Sequence, residues 1–441
     1  MAARSGPAER SEARRGGRRR RLAAGAAVLA LASVLAGCGE SSDKPVLTWY
    51  INPDPTPPED FEGAFGLAGI AERCSTDEYT IELEQLPTAA TEQRIQLMRR
   101  LAANDDSIDL MSLDPVFTAE FSEAGYLAEF SKADQQELSQ GKLEGAVEGA
   151  SWKGELVVAP QWANTQLLWF RRSVAEEAGL DMSEPVTWDQ VIDAAEETGT
   201  KVSVQGNKYE GYVVWLNALI QGAGGAIVTD LEKGEDMAVG LDSEAGVKAA
   251  EIVQRLAGSE AADADLPVSN EGTAESSFSG DDGGFMVNWT YIYLNYAEAL
   301  EGDLGWARYP RTVEGEESKP PTGGINIGVG AFTDHKDQAV EAAKCITSTE
   351  NQVIYATETG GMPTAEEAYD DADLQDLYPP EVLDLFRQSV DEGGPRPATQ
   401  YWSTIVNAML KEWHPQDSVT PETPAESGPF LEKVLDGDEL V

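Results

Sequence analysis

Histidine is almost missing from this chain: two residues in 441, His335 and His414, neither with a partner at metal-motif spacing. There is no His-Glu-x-x-His, no Gly-x-Ser-x-Gly and no P-loop, which removes the commonest signatures of metalloproteases, serine hydrolases and nucleotide triphosphatases. "GAGGAI", residues 222–227, lacks the last glycine of the dinucleotide fingerprint. Cysteine occurs three times, too rarely for a disulfide-stapled scaffold or a four-thiolate zinc site. Positive charge is scarce as well. Thirty-two Lys and Arg face 78 Asp and Glu, a net charge of −46, which argues against nucleic acid or an anionic membrane surface as partner. With so many carboxylates, chance pairs are inevitable, so no pair by itself diagnoses a glycosidase.

The little basic charge there is crowds the start. Arg14, Arg15 and Arg18 to Arg21 precede an apolar stretch, Leu22 to Ala36, too short to span a bilayer comfortably and better read as an export signal. It ends in Leu35-Ala36-Gly37-Cys38, which resembles the bacterial lipobox. Residues 1–37 are therefore expected to be a signal peptide. Cys38 is expected to be lipidated and residues 38–44 to be its tether, leaving the protein on the outer face of the cytoplasmic membrane. Residues 1–37 carry eight Arg and two Glu, so residues 38–441 are six charges more negative than the whole. Two cysteines remain beyond the anchor, Cys74 and Cys345; an oxidising setting invites a bridge between them, with two free buried thiols as the alternative.

The chain beyond residue 37 is long enough for two domains or lobes. "VLTWYIN" (46–52), "YTIELEQL" (79–86) and "IDLMSL" (108–113) alternate or run apolar as strands. Helices are expected between them, at 65–74 and at 91–103, with Ile95, Met98 and Leu101 on one face. Strand and helix alternating in this way predict a parallel sheet flanked by helices, with ligands beyond the C-terminal strand ends. Asn52, Asp54 and Asp114 fall at such ends. Past Pro160 the pattern restarts. A strand is expected at 165–172, and a helix at 187–198 opened by a Thr187/Gln190 capping box. A strand and a helix come next around 212–220, then a helix at 244–257 and a strand ending near Trp289. Residues 325–332 read as a strand; 337–348, 383–393 and 401–413 read as helices.

Ten Trp and thirteen Tyr suit a polar ligand with an apolar face, because several stand at strand ends: Trp49, Tyr50, Trp162, Trp289, Tyr291 and Trp402. Sugars present a C–H face to an aromatic ring and hydroxyls to Asp, Asn, Glu or Arg. Each hydrogen bond to a charged group contributes roughly 1.5–3 kcal/mol. Asp54, Asp114, Asn164, Glu271 and Arg396 accompany those aromatics.

The segments "SLDPVFTAEFSEAGYLAEF", "NTQLLWFRR", "GGFMVNW", "TGGINIGVGAF", "AAKCITS", "GGMPT" and "RPATQYWSTI", in this order after a lipobox, resemble extracellular sugar-binding proteins of ABC importers. Within them the likeness is to the trehalose-recycling lipoproteins of mycobacteria and related actinobacteria. The resemblance implies an α/β, two-lobed, periplasmic-binding-protein-like fold with a central ligand cleft. Its three hinge crossings would fall near Gln161 to Asn164, Gly323 to Ile327 and Gly361 to Thr364. The first lobe would be 45–161 plus 327–362, the second 162–326 plus 363–441. It further implies a monomeric, non-enzymatic receptor with no cofactor or metal, capturing a disaccharide, trehalose first, and delivering it to membrane permease subunits. Maltose, a longer oligosaccharide or a polyol on the same fold is the nearest alternative; a lipid-anchored glycoside hydrolase is another.

Carried over residue by residue, Asp114 and Asp54 would bind hydroxyls from the first lobe and Asn164 would do so at the first crossing. Trp289 would be the stacking platform, with Glu271 as acceptor before it and Glu275 as its competitor. Gly324 would let backbone approach the ligand, and Arg396 would grip hydroxyls in bidentate fashion. Phe117 departs from the pattern, standing where relatives often carry Trp.

Overall fold

The computed structural model describes residues 44–57, 61–300 and 302–441. The expected signal peptide and the Cys38 anchor lie outside the described residues, as does all of the tether except Lys44. Nine strands form the main sheet: β1 (Val46–Ile51), β2 (Thr80–Gln85), β3 (Leu110–Leu113), β4 (Ala159–Arg171), β5 (Lys201–Ser203), β6 (Gly283–Trp289), β7 (Leu304–Ala307), β8 (Thr322–Val329) and β9 (Met362–Pro363). Their order is β2-β1-β3-β8-β4-β6-β5, with β7 and β9 also paired to β4.

The first three strands obey the parallel expectation: β1 pairs with β2 and with β3 in parallel. Each buries an apolar face, Leu47, Trp49 and Ile51 in β1 and the whole of β3, because helices cover the sheet. Beyond β3 the sheet turns mixed. β8 is antiparallel to both β3 and β4, and β4 is antiparallel to β6. At thirteen residues β4 belongs to both halves of the molecule. Its first part, Ala159 to Thr165, pairs with β8, and from Gln166 onward it pairs with β6. The sequence places the start of this strand at 165, six residues late, because Pro160 reads as the break after which the pattern restarts. The structure accommodates that proline where the β4–β8 register shifts, a position that tolerates a missing N–H.

Helix Ala90–Leu101 forms as expected, but the fully buried stripe is Gln93, Leu97 and Leu101; Ile95 and Met98 are only half-buried. Helix Trp188–Thr198 has its capping box: Thr187 Oγ1 accepts from Gln190 N–H at 3.2 Å, and Thr187 N–H donates to Gln190 Oε1 at 2.8 Å. The strand expected near Tyr212 does not exist. Residues Glu210–Gly222 are one helix, buried almost all round, and a continuous apolar run cannot show its own period. Helices Glu271–Ser279, Thr349–Thr359 and Thr423–Leu435 had no sequence counterpart.

Cys74 and Cys345 are bonded, tying helix Leu67–Cys74 to helix Lys336–Ile346 across 271 residues of chain. The bond fastens the returning C-terminal segment to the half built on β1–β3. Among the described residues, no helix is long and apolar enough to cross a membrane.

Candidate functional site

The two crossing strands set the site. β4 and β8 run side by side from Thr165/Thr322 to Ala159/Ile327, and β9 adds a third strand against Trp162 and Ala163. Gly324 has φ +131°, and a Cβ there would stand 2.1 Å from the Trp162 carbonyl oxygen, so only glycine allows this close pairing. Gly323 faces the other way in effect: a Cβ on it would stand 3.4 Å from the Trp289 ring and 3.5 Å from Arg396 Nη2. Trp289 and Arg396 therefore meet over one bare glycine of the crossing.

Arg396 is the electrostatic centre. Its side chain is 5% exposed. Nη2 donates to Asp114 Oδ1 at 2.6 Å and Nη1 to Asp114 Oδ2 at 3.1 Å, while Nη1 also donates to Glu210 Oε1 at 3.0 Å. Asp114 comes directly after β3 and Glu210 opens the second half's buried helix, so one guanidinium joins carboxylates from both halves. Asp114 Oδ1 also accepts from Val116 N–H at 3.0 Å, capping the short turn after the strand. Burial holds the Glu210 carboxyl above its usual range and Asp114 adds to this, against the pull of Arg396. Burial alone would lower Arg396, but Asp114 and Glu210 raise it further, so it stays charged. Trp402 Nε1–H donates to the same Glu210 oxygen at 3.1 Å.

Counting donors and acceptors shows what is left for a ligand. Arg396 retains Nε–H and one Nη2 hydrogen, and Asp114 Oδ2 retains one lone pair, among the described residues. Asn164 Oδ1 is saturated by Thr165 N–H, Thr290 N–H and Thr290 Oγ1–H, which leaves its Nδ2 as the free end. Trp162 Nε1 and the Tyr209 hydroxyl are buried with no hydrogen-bond partner among the described residues.

Of the other expected residues, Glu271 sits at the start of its helix beside Tyr209, whose phenol is pushed up by burial and by this carboxylate. Glu275 is engaged locally, accepting from Asn295 Nδ2 at 2.9 Å and from the Tyr291 hydroxyl at 3.3 Å. Asp54 turns inward. It accepts from Leu67 N–H at 2.6 Å and from the Tyr355 hydroxyl at 3.1 Å, and Tyr355 in turn packs against Trp162. Phe117 is buried in the core. Glu210 and Tyr355 were missed. The only sequence signal for Glu210 was a lone acid opening an apolar run, and none marked Tyr355.

Burial raises Asp54 to about 6, with Leu67 N–H and Tyr355 opposing and Glu358 adding repulsion. A folded-state pKa above the unfolded value means that the folded form holds the proton more tightly. This contribution is complete below about pH 4 and is lost as pH rises through 6. Asp54→Asn, which mimics the acid form, is therefore expected to raise the melting temperature at pH 8, worth at most about 3 kcal/mol, with little of that gain left at pH 4. A gain equal at both pH values in thermal melts would refute it.

Between the halves lies a cavity of about 420 Å³ bordered by Arg396, Gly323, Trp162 and Ala163. Such a size is within the range of small-molecule sites. Of the expected site residues only Arg396 lines it; Asp54, Asp114, Asn164, Glu271, Trp289 and Gly324 do not.

Comparison with known proteins fits this architecture. The structure resembles maltose-bound MalE3 of T. maritima (22% identity, 90% of this chain and 100% of that one, TM-score 0.76). It also resembles the GacH receptor of Streptomyces glaucescens, solved unliganded and with acarbose (21%, 89% and 99%, TM-score 0.72). A third likeness is UgpB of Mycobacterium tuberculosis in complex with glycerophosphocholine (16%, 81% and 91%, TM-score 0.67). These likenesses establish the two-lobed α/β fold. Residues 75–353 match the bacterial extracellular solute-binding protein family, and the chain belongs to that family.

Proposed function

We propose that the protein is the ligand-capturing component of an ABC sugar importer and takes a disaccharide, trehalose first, between its two lobes. The observation that carries this reading is the Arg396 centre. A buried guanidinium with two unused donors and a carboxylate with one unused acceptor stand beside a half-buried indole over Gly323. Polyols match that inventory: hydroxyls both donate and accept, and a pyranose C–H face covers the ring. MalE3 was solved with maltose and GacH with acarbose, which supports the same chemistry.

The lobes on this reading are 45–161 plus 327–362 and 162–326 plus 363–441, hinged where β4, β8 and β9 lie together. Asp114 serves from one lobe, and Trp289, Glu271 and Arg396 from the other. Asn164 and Gly324 lie in the crossings. Asp54 backs the crossing through Tyr355, which packs against Trp162. Ligand favours the closed form because only that form contacts it from both sides. The closed lobes are then read by the permease. Lipid on Cys38 would hold the monomer at the outer face of the membrane. A hydrolytic role is disfavoured: Asp54, whose carboxyl is raised as a glycosidase acid's would be, points at Leu67 and Tyr355 rather than into the cavity.

Titration calorimetry of the full chain with trehalose, maltose and glucose tests the reading, saturable heat without a slow hydrolytic phase being the expected result. Silence from all three would remove the sugar assignment. Trp289→Ala should weaken binding of the responding sugar about 30-fold, corresponding to about 2 kcal/mol of lost ring contact, with the melting temperature little changed. Unaltered affinity in a folded Trp289→Ala protein would take the ring out of the site.

A further inference from the structure

The interlobe cavity has a chemistry of its own. Much of its wall is aliphatic: Pro115, Val116 and Ala119 from one side, Ala226, Val228 and Leu231 from the other; the buried Thr118, Asn326 and Thr364 also line it, each already donating to the Gly149 or Pro160 carbonyl. Apart from Trp162, no lining residue among those described is aromatic. The amides that reach it from helix Glu210–Gly222 are already occupied. Asn217 Nδ2 and Gln221 Nε2 both donate to the Pro395 carbonyl, at 3.3 and 2.8 Å, and fix the Pro395–Pro397 wall. Its two carboxylates, Glu148 and Asp391, are solvent-exposed and belong to its rim. A further sugar ring would find no stacking platform and few free partners here, whereas hydrocarbon would replace water against aliphatic walls.

The cavity nevertheless joins the sugar centre. Arg396 and Gly323 line it, and Gly323 is the glycine over which the Trp289 ring and the guanidinium meet. We infer that this compartment receives an aliphatic substituent carried by the sugar, so that the ligand class extends to a disaccharide bearing a short O-acyl or O-alkyl group. The inference rests on the sugar-receptor reading: the polar head occupies the Arg396–Asp114–Trp289 centre, and the chain passes Gly323 into the aliphatic space. Each methylene buried there should tighten binding about fourfold, so three seated carbons suffice for well over a tenfold gain.

The test compares the free disaccharide that binds, the positional set of its mono-O-hexanoyl esters below their micelle threshold, and a trisaccharide, all by calorimetry on the full chain. The expected result is at least a tenfold gain for one ester over its parent. Ala226→Phe, which fills the cavity, should abolish that gain while leaving the parent's affinity unchanged. Leu231→Gln, which makes the wall polar without filling it, should reduce the gain and guards against a misfolded phenylalanine variant. Esters that bind no better than the parent overturn the inference and leave the receptor reading standing. A tenfold gain for the trisaccharide but none for any ester overturns it in favour of another sugar ring. A gain that survives both variants places the chain elsewhere and also overturns it. If neither parent nor ester gives heat, the receptor reading falls and the inference falls with it.

Discussion

Arg396→Met is expected to destabilise the protein by about 3–5 kcal/mol at neutral pH, the usual penalty for leaving buried charge without its partner. The side chain is 5% exposed, and the two carboxylates that it bridges are 16% and 11% exposed. Methionine fills much of the same volume, so the loss is electrostatic rather than a cavity. Glu210 would keep only the Trp402 indole N–H as partner, facing Asp114 with no cation between them. Its pKa is already raised by burial, and removing Arg396, the main opposing influence, raises it further. Because the folded-state value then stands above the unfolded one, stability is present at low pH and lost as pH rises through the folded value. The deficit of Arg396→Met should therefore shrink as the solution is acidified.

A second substitution separates charge from packing. Glu210→Gln added to Arg396→Met should recover more than half of the lost stability in denaturant melts, with a coupling energy of at least about 1 kcal/mol. Melting of Arg396→Met within about 2 °C of the parent, or no recovery from Glu210→Gln, would show that the buried triad does not hold the halves as described. On the proposed reading, sugar affinity should fall about 100-fold in Arg396→Met, since two charged donors would leave the site. Methionine cannot replace either.

The legible part of this molecule is local, and the illegible part is long-range. β1, β3 and helix Trp188–Thr198 could be read because alternation, apolar runs and a capping box are written in consecutive residues. Asp114 and Trp289 were legible as polar and aromatic residues at strand ends. Glu210 was not: its meaning comes from Arg396, 186 residues away, and from Trp402, 192 away. Asp54 was singled out for the right chemical reason, a carboxylate after a strand, yet its carboxylate is taken up by Leu67 N–H and Tyr355. Tertiary neighbours set the direction in which a side chain points, and the sequence around Asp54 holds no trace of residue 355. The Glu210–Gly222 helix failed for another reason. A segment buried all round has lost the periodicity that would have told strand from helix.

Asp114→Ala should cost far less stability than Arg396→Met, although both remove the same ion pair. Taking away Asp114 leaves Arg396 bonded to Glu210, a balanced pair in place of two carboxylates around one guanidinium. Glu210 also loses a repulsive neighbour, so it ionises more readily and grips Arg396 better. What folding loses is the cap on Val116 N–H, about 1 kcal/mol, and a bridge whose carboxylate end is the more exposed one. Melting should drop by only a few degrees. Binding is the larger casualty. On the proposed reading, the Asp114 carboxylate contributes the acceptor facing ligand from the first lobe, and its pair with Arg396 helps to hold the lobes together. A fall in sugar affinity of about 100-fold is expected from calorimetry, equivalent to one or two hydrogen bonds to a charged group. Asp114→Asn keeps an acceptor for Val116 N–H and should restore stability without restoring affinity. A folded Asp114→Ala protein that binds sugar as the parent does would reassign the carboxylate to architecture alone. In that case the receptor's grip would rest on Arg396 and Trp289.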